Sequence, residues 1–204
     1  MKIAIIGTGN IGGALATSWA KTGHDIILCV RDLQNFKGQD LLQNPNTKAS
    51  NFTDGIAEAD VILIATPIAA MVSIAKNLGD VHDKVIIDAT NAVFMKPEGF
   101  NNDVEALLEL SNATKVVKCF NSTGFESMKN PSYGNTAIDM FMAGNDAAAK
   151  SVVEKLAHDA GFGRCIDFGG NEKVPLLEQF ALAWINLAMM QKRGRNFAFH
   201  IVDR

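Results

Sequence analysis

The sequence predicts an α/β fold, a doubly wound and mainly parallel sheet of about eight strands with helices on both faces. The main observation is an alternation along the chain. Short runs rich in Ile and Val, bounded by Gly, Pro, Asn or Asp, alternate with segments of helical spacing. The second observation is a composition of 48% hydrophobic and 20% charged residues, which excludes a mainly disordered chain. We expect residues 1–204 to form one domain.

Seven of the strands can be placed on the sequence. Each is a short apolar run of the kind expected for a parallel strand buried on both faces. In chain order they are Lys2–Ile6, Asp25–Val30, Val61–Ala65, Lys84–Asp88, Lys115–Phe120, Ala137–Ala143 and Arg164–Phe168.

The segments between these runs show apolar residues at helical spacing. The expected helices are Ile11–Lys21, Ala69–Leu78, Val104–Leu110 and Asp146–Ala160. A last helix, Lys173–Met190, follows the final strand and belongs to a C-terminal extension of residues 171–204. Its apolar stripe indicates a helix lying on the sheet or, equally, a dimer interface or a lid over the site.

The first strand leads into a Gly-x-Gly-x-x-Gly motif that opens the first helix, as dinucleotide binding requires. Gly7 permits the tight turn, Gly9 lets a pyrophosphate approach the backbone, and Gly12 lets the helix pack close to the strand. The helix N-terminus then attracts the phosphates. The sequence therefore predicts a Rossmann-type nucleotide site that comprises Gly7, Thr8, Gly9, Asn10, Ile11 and Gly12.

The end of the second strand favours NADP(H) over NAD(H). Val30 stands where an acidic residue would bind the ribose hydroxyls, and Arg31 follows it, nineteen residues after Gly12. A guanidinium suits a 2′-phosphate in both charge and geometry. Asp32 is the alternative ribose ligand, which leaves NAD(H) open.

The nicotinamide is expected at the carboxyl ends of the later strands. Small and amide-bearing residues follow these strands, and we expect a shallow, mostly apolar pocket among them for a flat ring. The candidates are Thr66, Pro67, Ile68, Asn91, Ala92 and Asn121.

No acid–base pair for alcohol or hydroxy-acid chemistry is evident, since the four histidines are scattered. This absence favours hydride transfer to a flavin-type ring, which needs mainly orientation. Lys118 and His200 remain candidates that could fold into the site. No catalytic residue is assigned.

Charge and cysteine content limit the partners and the compartment. A net charge of −3 provides no general attraction for nucleic acid or an anionic membrane, and no apolar run is long enough to span a bilayer. The apolar start of the chain is too short for a signal peptide. The cysteines are three in number and far apart, without metal-ligand spacing. We expect a cytoplasmic protein without a metal site.

Five segments resemble the deazaflavin-dependent NADP reductases across essentially the whole chain. They are the glycine motif GTGNIG, Arg31 and the segments Val85–Asn91, Val117–Ser122 and Met142–Asp146. The sequence is also similar to the cytosolic reductase domain of six-transmembrane metalloreductases. The resemblance implies NADP(H), hydride transfer to a flavin or deazaflavin co-substrate, and commonly a homodimer. The family's usual Ser-Arg pair is Val30-Arg31 here, which removes one phosphate hydrogen bond.

Two other functions stay open. A reductase of imines or keto acids, related to pyrroline-5-carboxylate reductase, begins with a similar glycine motif. It needs a substantial helical domain after the last strand, where this chain has only about 35 residues. The other alternative is a non-enzymatic redox sensor that binds NADP(H), because fold alone does not determine function.

Overall fold

The structure is a computed structural model that describes all 204 residues. Ten strands form, eight of them in one sheet and two in a small hairpin. The sheet strands are β1 (Lys2–Ile6), β2 (Asp25–Cys29), β3 (Thr47–Ser50), β4 (Val61–Ile64), β5 (Val85–Asp88), β6 (Lys115–Cys119), β9 (Asp139–Ala143) and β10 (Arg164–Asp167), and the hairpin strands are β7 (Ser132–Tyr133) and β8 (Thr136–Ala137).

Seven α-helices connect the strands. They are α1 (Asn10–Lys21), α2 (Phe52–Glu58), α3 (Met71–Asn77), α4 (Asp103–Leu110), α5 (Phe125–Lys129), α6 (Ala147–Asp159) and α7 (Val174–Ile185). Short 3-10 turns cover Gln39–Gln43, Ile68–Ala70 and Asn171–Lys173, and α7 continues as a π-helical turn over Asn186–Met190. None of these helices combines the length and apolar character needed to cross a bilayer.

The strand order in the sheet is β10-β9-β6-β5-β4-β1-β2-β3. All neighbouring pairs are parallel except β6 and β9. The chain leaves β1 towards β2 on one side and later returns to β4 on the other, so a crevice opens between the carboxyl ends of β1 and β4. Such a switch point is where open α/β sheets bind ligands.

The sheet separates two hydrophobic cores. Helices α1, α5 and α6 cover one face, where Trp19 and Phe120 are fully buried. Helices α2, α3, α4 and α7 cover the other face, where Ile62 and Leu177 are fully buried. Burial on both faces explains why the central strands are continuous apolar runs rather than alternating ones.

The sequence predictions hold for seven strands and five helices, with most ends within one or two residues. The strand expected over Ala137–Ala143 begins at Asp139, because Ala137 belongs to the hairpin. Strand β3 and helices α2 and α5 were not predicted. The expectation of a doubly wound, mainly parallel sheet of about eight strands is confirmed.

The C-terminal segment packs against the body of the protein. Leu177 and Trp184 on α7 are buried, and the Trp184 Nε1–H donates to the carbonyl of Phe197 at 2.9 Å. Further on, the Ile201 N–H donates to the buried carboxylate of Asp139 at 2.6 Å. Arg164 also donates two hydrogen bonds to that carboxylate, at 2.8 and 2.9 Å.

Candidate functional site

The glycine turn between β1 and α1 has the geometry that phosphate binding requires. Gly7 has a φ of 104°, a left-handed conformation that suits glycine, and a side chain there would meet the backbone of Ala65. No side chain caps α1, and its first turn contains no acidic residue. The free N–H groups and positive end of the helix are therefore available to an anion.

The other two glycines of the motif differ in what surrounds them. A Cβ at Gly12 would collide with the carbonyl oxygen of Gly7, so only glycine allows the helix to lie this close to the strand. A Cβ at Gly9 would meet nothing within 4 Å. The space in front of Gly9 is thus not filled by the protein itself, and a pyrophosphate fits there.

The loop after β2 places a free cation beside this turn. Arg31 is exposed and makes no hydrogen bond or ion pair with the rest of the chain. Asp32 is less available, because its Oδ1 accepts hydrogen bonds from the backbone N–H groups of Gln34 at 2.9 Å and Asn35 at 3.3 Å. The carboxylate stabilises the loop, which disfavours its use as a displaced ribose ligand.

The same loop closes onto the glycine turn. The Thr8 hydroxyl donates to the carbonyl of Lys37, and a Cβ at Gly38 would lie 2.9 Å from the carbonyl oxygen of Thr8. Lys37 therefore lies beside the turn with an exposed side chain and no ion pair. The sequence interpretation missed this second cation, although its place six residues after Arg31 in the same loop was visible.

The crevice after β4 contains an unpaired polar atom. Thr66 follows Ala65 at the strand end, and its buried hydroxyl oxygen has no hydrogen-bond partner. Pro67 is exposed and Ile68 is half-buried at the start of the next turn. Buried polar atoms are nearly always paired in folded proteins, so the Thr66 hydroxyl is available to pair with a water or a ligand.

Asn91 and Asn121 join the ends of β5 and β6. The Asn91 side-chain NH₂ donates to the Asn121 carbonyl at 2.9 Å, and the Asn121 NH₂ donates to Asn91 Oδ1 at 3.0 Å. Asn121 Oδ1 is buried and has no partner. It can accept a hydrogen bond from a carboxamide, which is the group that a nicotinamide presents.

The backbone at the end of β6 is strained immediately before Asn121. Phe120 has a φ of 59°, which is rare for a bulky residue. Its ring is fully buried and packs at an angle of 78° to Trp19, with 5.6 Å between the ring centroids. This packing holds the turn that directs Asn121 towards Asn91, and strain of this kind clusters at functional sites.

A group of buried charges lies behind the crevice, on the α4 and α7 side of the sheet. The fully buried Lys118 ammonium is 2.8 Å from Asp88 Oδ2 and 2.9 Å from Glu178 Oε1. The Thr90 hydroxyl lies between Asp88, at 2.7 Å, and Asp103. Lys118 is therefore committed to ion pairs on this side of the sheet.

Burial and neighbouring charges set the protonation of this group. Burial opposes the charge on Lys118, but the surrounding carboxylates outweigh it and raise the lysine pKa. Burial, followed by the charge of Asp88, raises the pKa of Asp103 to about 7. Asp103 Oδ1 has no partner, in keeping with a carboxyl group that holds a proton near neutral pH.

The position of His200 is corrected by the structure. His200 lies against Asp139, with 3.2 Å between Nδ1 and Oδ2, at the start of β9 rather than among the loops that hold Asn91 and Asn121. A polar cavity of about 530 Å³ lies between the N-terminal ends of α4 and α7, beside Ala92. Of the fourteen predicted site residues, only Ala92 lines this cavity.

The glycine turn, the switch-point crevice and the free cation together define a nucleotide-binding protein of the Rossmann class. Residues 2–92 match the sequence model of the family described as NADP oxidoreductase, coenzyme F420-dependent. The chain is 29% identical to the F420-dependent NADP reductase of Methanothermobacter thermautotrophicus, over 100% of this chain and 95% of that protein. These matches confirm the resemblance to the deazaflavin-dependent NADP reductases.

Solved structures agree with this result. A crystal structure from Arthrobacter sp. FB24, provisionally described as an F420-dependent NADP reductase, superposes with a TM-score of 0.85 at 26% identity and covers 100% of both chains. An imine reductase from Bacillus cereus shares the fold alone, with a TM-score of 0.66 at 15% identity. That match covers 94% of this chain but 63% of the imine reductase.

Proposed function

We propose that the protein is an NADPH-dependent oxidoreductase that transfers a hydride between the nicotinamide and the ring of a flavin or deazaflavin. The observation that carries the proposal is the pairing of a complete phosphate-binding turn with an unpaired arginine at the end of β2. The names of two similar proteins support the same activity.

Each part of the site has a role in this proposal. The backbone around Gly9 and the N-terminus of α1 bind the pyrophosphate, and Arg31 with Lys37 binds the 2′-phosphate. Thr66 and Asn121 hydrogen-bond the nicotinamide end through their unpaired oxygens. NADPH supplies the hydride, and the one proton that the reduced ring also takes up comes from water.

The protein's task is then to orient two rings rather than to move a substrate proton. Pro67 and Ile68 follow β4, Asn91 follows β5 and Asn121 follows β6, and none of them has a titratable side chain. Near-contact geometry supplies much of the rate in such a reaction, because the cofactor carries the chemistry.

The assay that tests the proposal follows NADPH absorbance with FMN, FAD, a deazaflavin, and a panel of imines and keto acids. Turnover with a flavin or deazaflavin is expected. Turnover only with an imine or keto acid would replace the proposal with the imine reductase alternative. Binding of NADPH without turnover of any acceptor would favour a redox sensor.

We also propose that the protein is a cytoplasmic homodimer. Exposed apolar side chains near the end of α7, namely Leu187, Met189 and Met190, support a dimer interface there. The three cysteines are free and buried, which suits a reducing compartment.

A further inference from the structure

The polar cavity between α4 and α7 adjoins the crevice through one residue. Ala92 lines the cavity, and it directly follows Asn91, whose side chain pairs with Asn121. The Ala92 N–H donates to Glu178 Oε1 at 3.2 Å, which holds the backbone at Ala92 against α7. A ligand that reaches beyond the crevice on this side therefore enters the cavity.

Two nearly buried side chains offer unpaired atoms to the cavity. Glu178 is 4% exposed, and its Oε1 is used by Lys118 and Ala92 while its Oε2 has no partner within the chain. Asn102 is 9% exposed, and its Oδ1 accepts from the Glu105 N–H at 2.9 Å while its NH₂ group has no partner. Both residues line the cavity, so an acceptor and a donor face the same space.

The charge of the cavity limits what can bind. Three carboxylates and one ammonium group line it, together with four amide side chains. A phosphate or carboxylate would be repelled there. An ammonium ion would satisfy Glu178 but would oppose the NH₂ donor of Asn102. A hydroxyl group matches both, because it donates one hydrogen bond and accepts another.

We propose that this cavity is a polyhydroxyl subsite that binds the sugar-alcohol chain of the ring acceptor, with Glu178 and Asn102 as its hydrogen-bonding residues. The inference rests on the proposed function, since flavins and deazaflavins carry a ribityl chain on the ring. The ring lies in the crevice, the chain passes Ala92, and its hydroxyls pair with Glu178 Oε2 and the Asn102 NH₂ group.

The test compares riboflavin with lumiflavin, which has the same ring but a methyl group in place of the ribityl chain. Both compounds are neutral, so the comparison isolates the hydroxyls. With NADPH as donor, kcat/KM for riboflavin should exceed that for lumiflavin about fivefold or more, the value of two hydrogen bonds. A ratio near one would overturn the proposal.

Two variants assign the effect to the named residues. Asn102→Asp keeps the oxygen that caps α4 but loses the donor, and it should lower the riboflavin-to-lumiflavin ratio about threefold. Glu178→Gln should also lower the ratio. The matched control is Asn51→Asp, which changes the capping residue of α2 and should leave the ratio unchanged. An unaltered ratio in both cavity variants would contradict the assignment.

The outcomes separate this inference from the proposed function. The proposed function fails only if the deazaflavin is not reduced either. If neither riboflavin nor lumiflavin is reduced, the subsite is tested by fluorescence titration of both flavins with the NADPH complex. Tighter binding of riboflavin, weakened by Asn102→Asp, would support the subsite. Equal binding of the two flavins would overturn it.

Discussion

At the scale of single residues, Arg31 is the group that we propose selects NADP(H) over NAD(H). Its guanidinium has no carboxylate partner, so no internal ion pair must break when a phosphate binds. Asp32 already accepts hydrogen bonds from the loop backbone, which disfavours it as a ribose ligand. The sequence alone left NAD(H) open at this position, because it could not show where the Asp32 carboxylate points.

Replacing Arg31 with alanine should weaken NADPH binding and leave NADH binding nearly unchanged. The expected loss is about 1.5–3 kcal/mol, or roughly 10- to 150-fold, for charge-assisted hydrogen bonds to the 2′-phosphate. Calorimetric titration of both cofactors measures it. Arg193→Ala, an exposed arginine without a carboxylate partner, is the control. Equal losses for NADPH and NADH would exclude the phosphate role.

Alanine substitutions at Gly12 and Gly9 should affect different properties, namely stability at Gly12 and NADPH binding at Gly9. Gly12→Ala forces a methyl group into the Gly7 carbonyl and should destabilise the fold by about 1–3 kcal/mol. Gly9→Ala meets no protein atom and should leave the melting temperature unchanged while weakening NADPH binding. Thermal unfolding together with cofactor titration checks both. A stability loss for Gly9→Ala equal to that for Gly12→Ala would refute the assignment.

At the scale of elements, apolar periodicity predicted the central strands because they are buried on both faces. It failed for β3, a polar edge strand over Thr47–Ser50 that pairs only with β2, and for the short helices α2 and α5.

The buried charge group of Lys118, Asp88 and Glu178 was missed for another reason. Lys118 and Asp88 stand inside apolar runs, which signals burial of a charge, but their pairing with Glu178 depends on how α7 packs.

The first turn of α4 should make stability depend on pH. Burial raises the Asp103 pKa to about 7, so the folded state holds a proton there that the unfolded chain releases near pH 4. The stability that this proton contributes is complete below about pH 4 and is lost as pH rises through about 7. Unfolding free energy should therefore fall as pH increases across this range.

Asp103→Asn mimics the protonated carboxyl and should remove this dependence. Urea unfolding at several pH values between 5 and 7 measures this effect. The free energy of unfolding of the variant, relative to that of the wild type, should rise by up to about 1.4 kcal/mol per pH unit. Asp83→Asn, an exposed carboxylate, serves as the comparison. If the free energies of unfolding of the wild type and of Asp103→Asn change with pH in parallel, the Asp103 carboxyl does not hold this proton.

At the scale of the whole molecule, the C-terminal helix has two surfaces. Leu177 and Trp184 are covered by the protein itself, whereas Leu187, Met189 and Met190 remain exposed. The sequence could identify the apolar stripe but could not divide it between these surfaces. Only the exposed part is free to meet a second copy.

Light scattering at micromolar concentration should give the mass of a dimer. The double substitution Leu187→Lys and Met190→Lys should shift the protein to a monomer, because two charges would be buried without partners. Leu42→Lys, an exposed apolar residue far from α7 in sequence, should not change the mass. A monomer mass for the wild-type protein would refute the interface.

The Asp139 carboxylate has a consequence for hydrogen–deuterium exchange. Ile201 lies in a segment without helix or strand, where amide protons ordinarily exchange within seconds. Its N–H is bound to a buried carboxylate whose pKa stays low, since the hydrogen bonds and charges of Arg164, the Ile201 amide and His200 outweigh the effect of burial. This single amide should therefore exchange far more slowly than its neighbours, and the docking of the whole segment can be timed by following it.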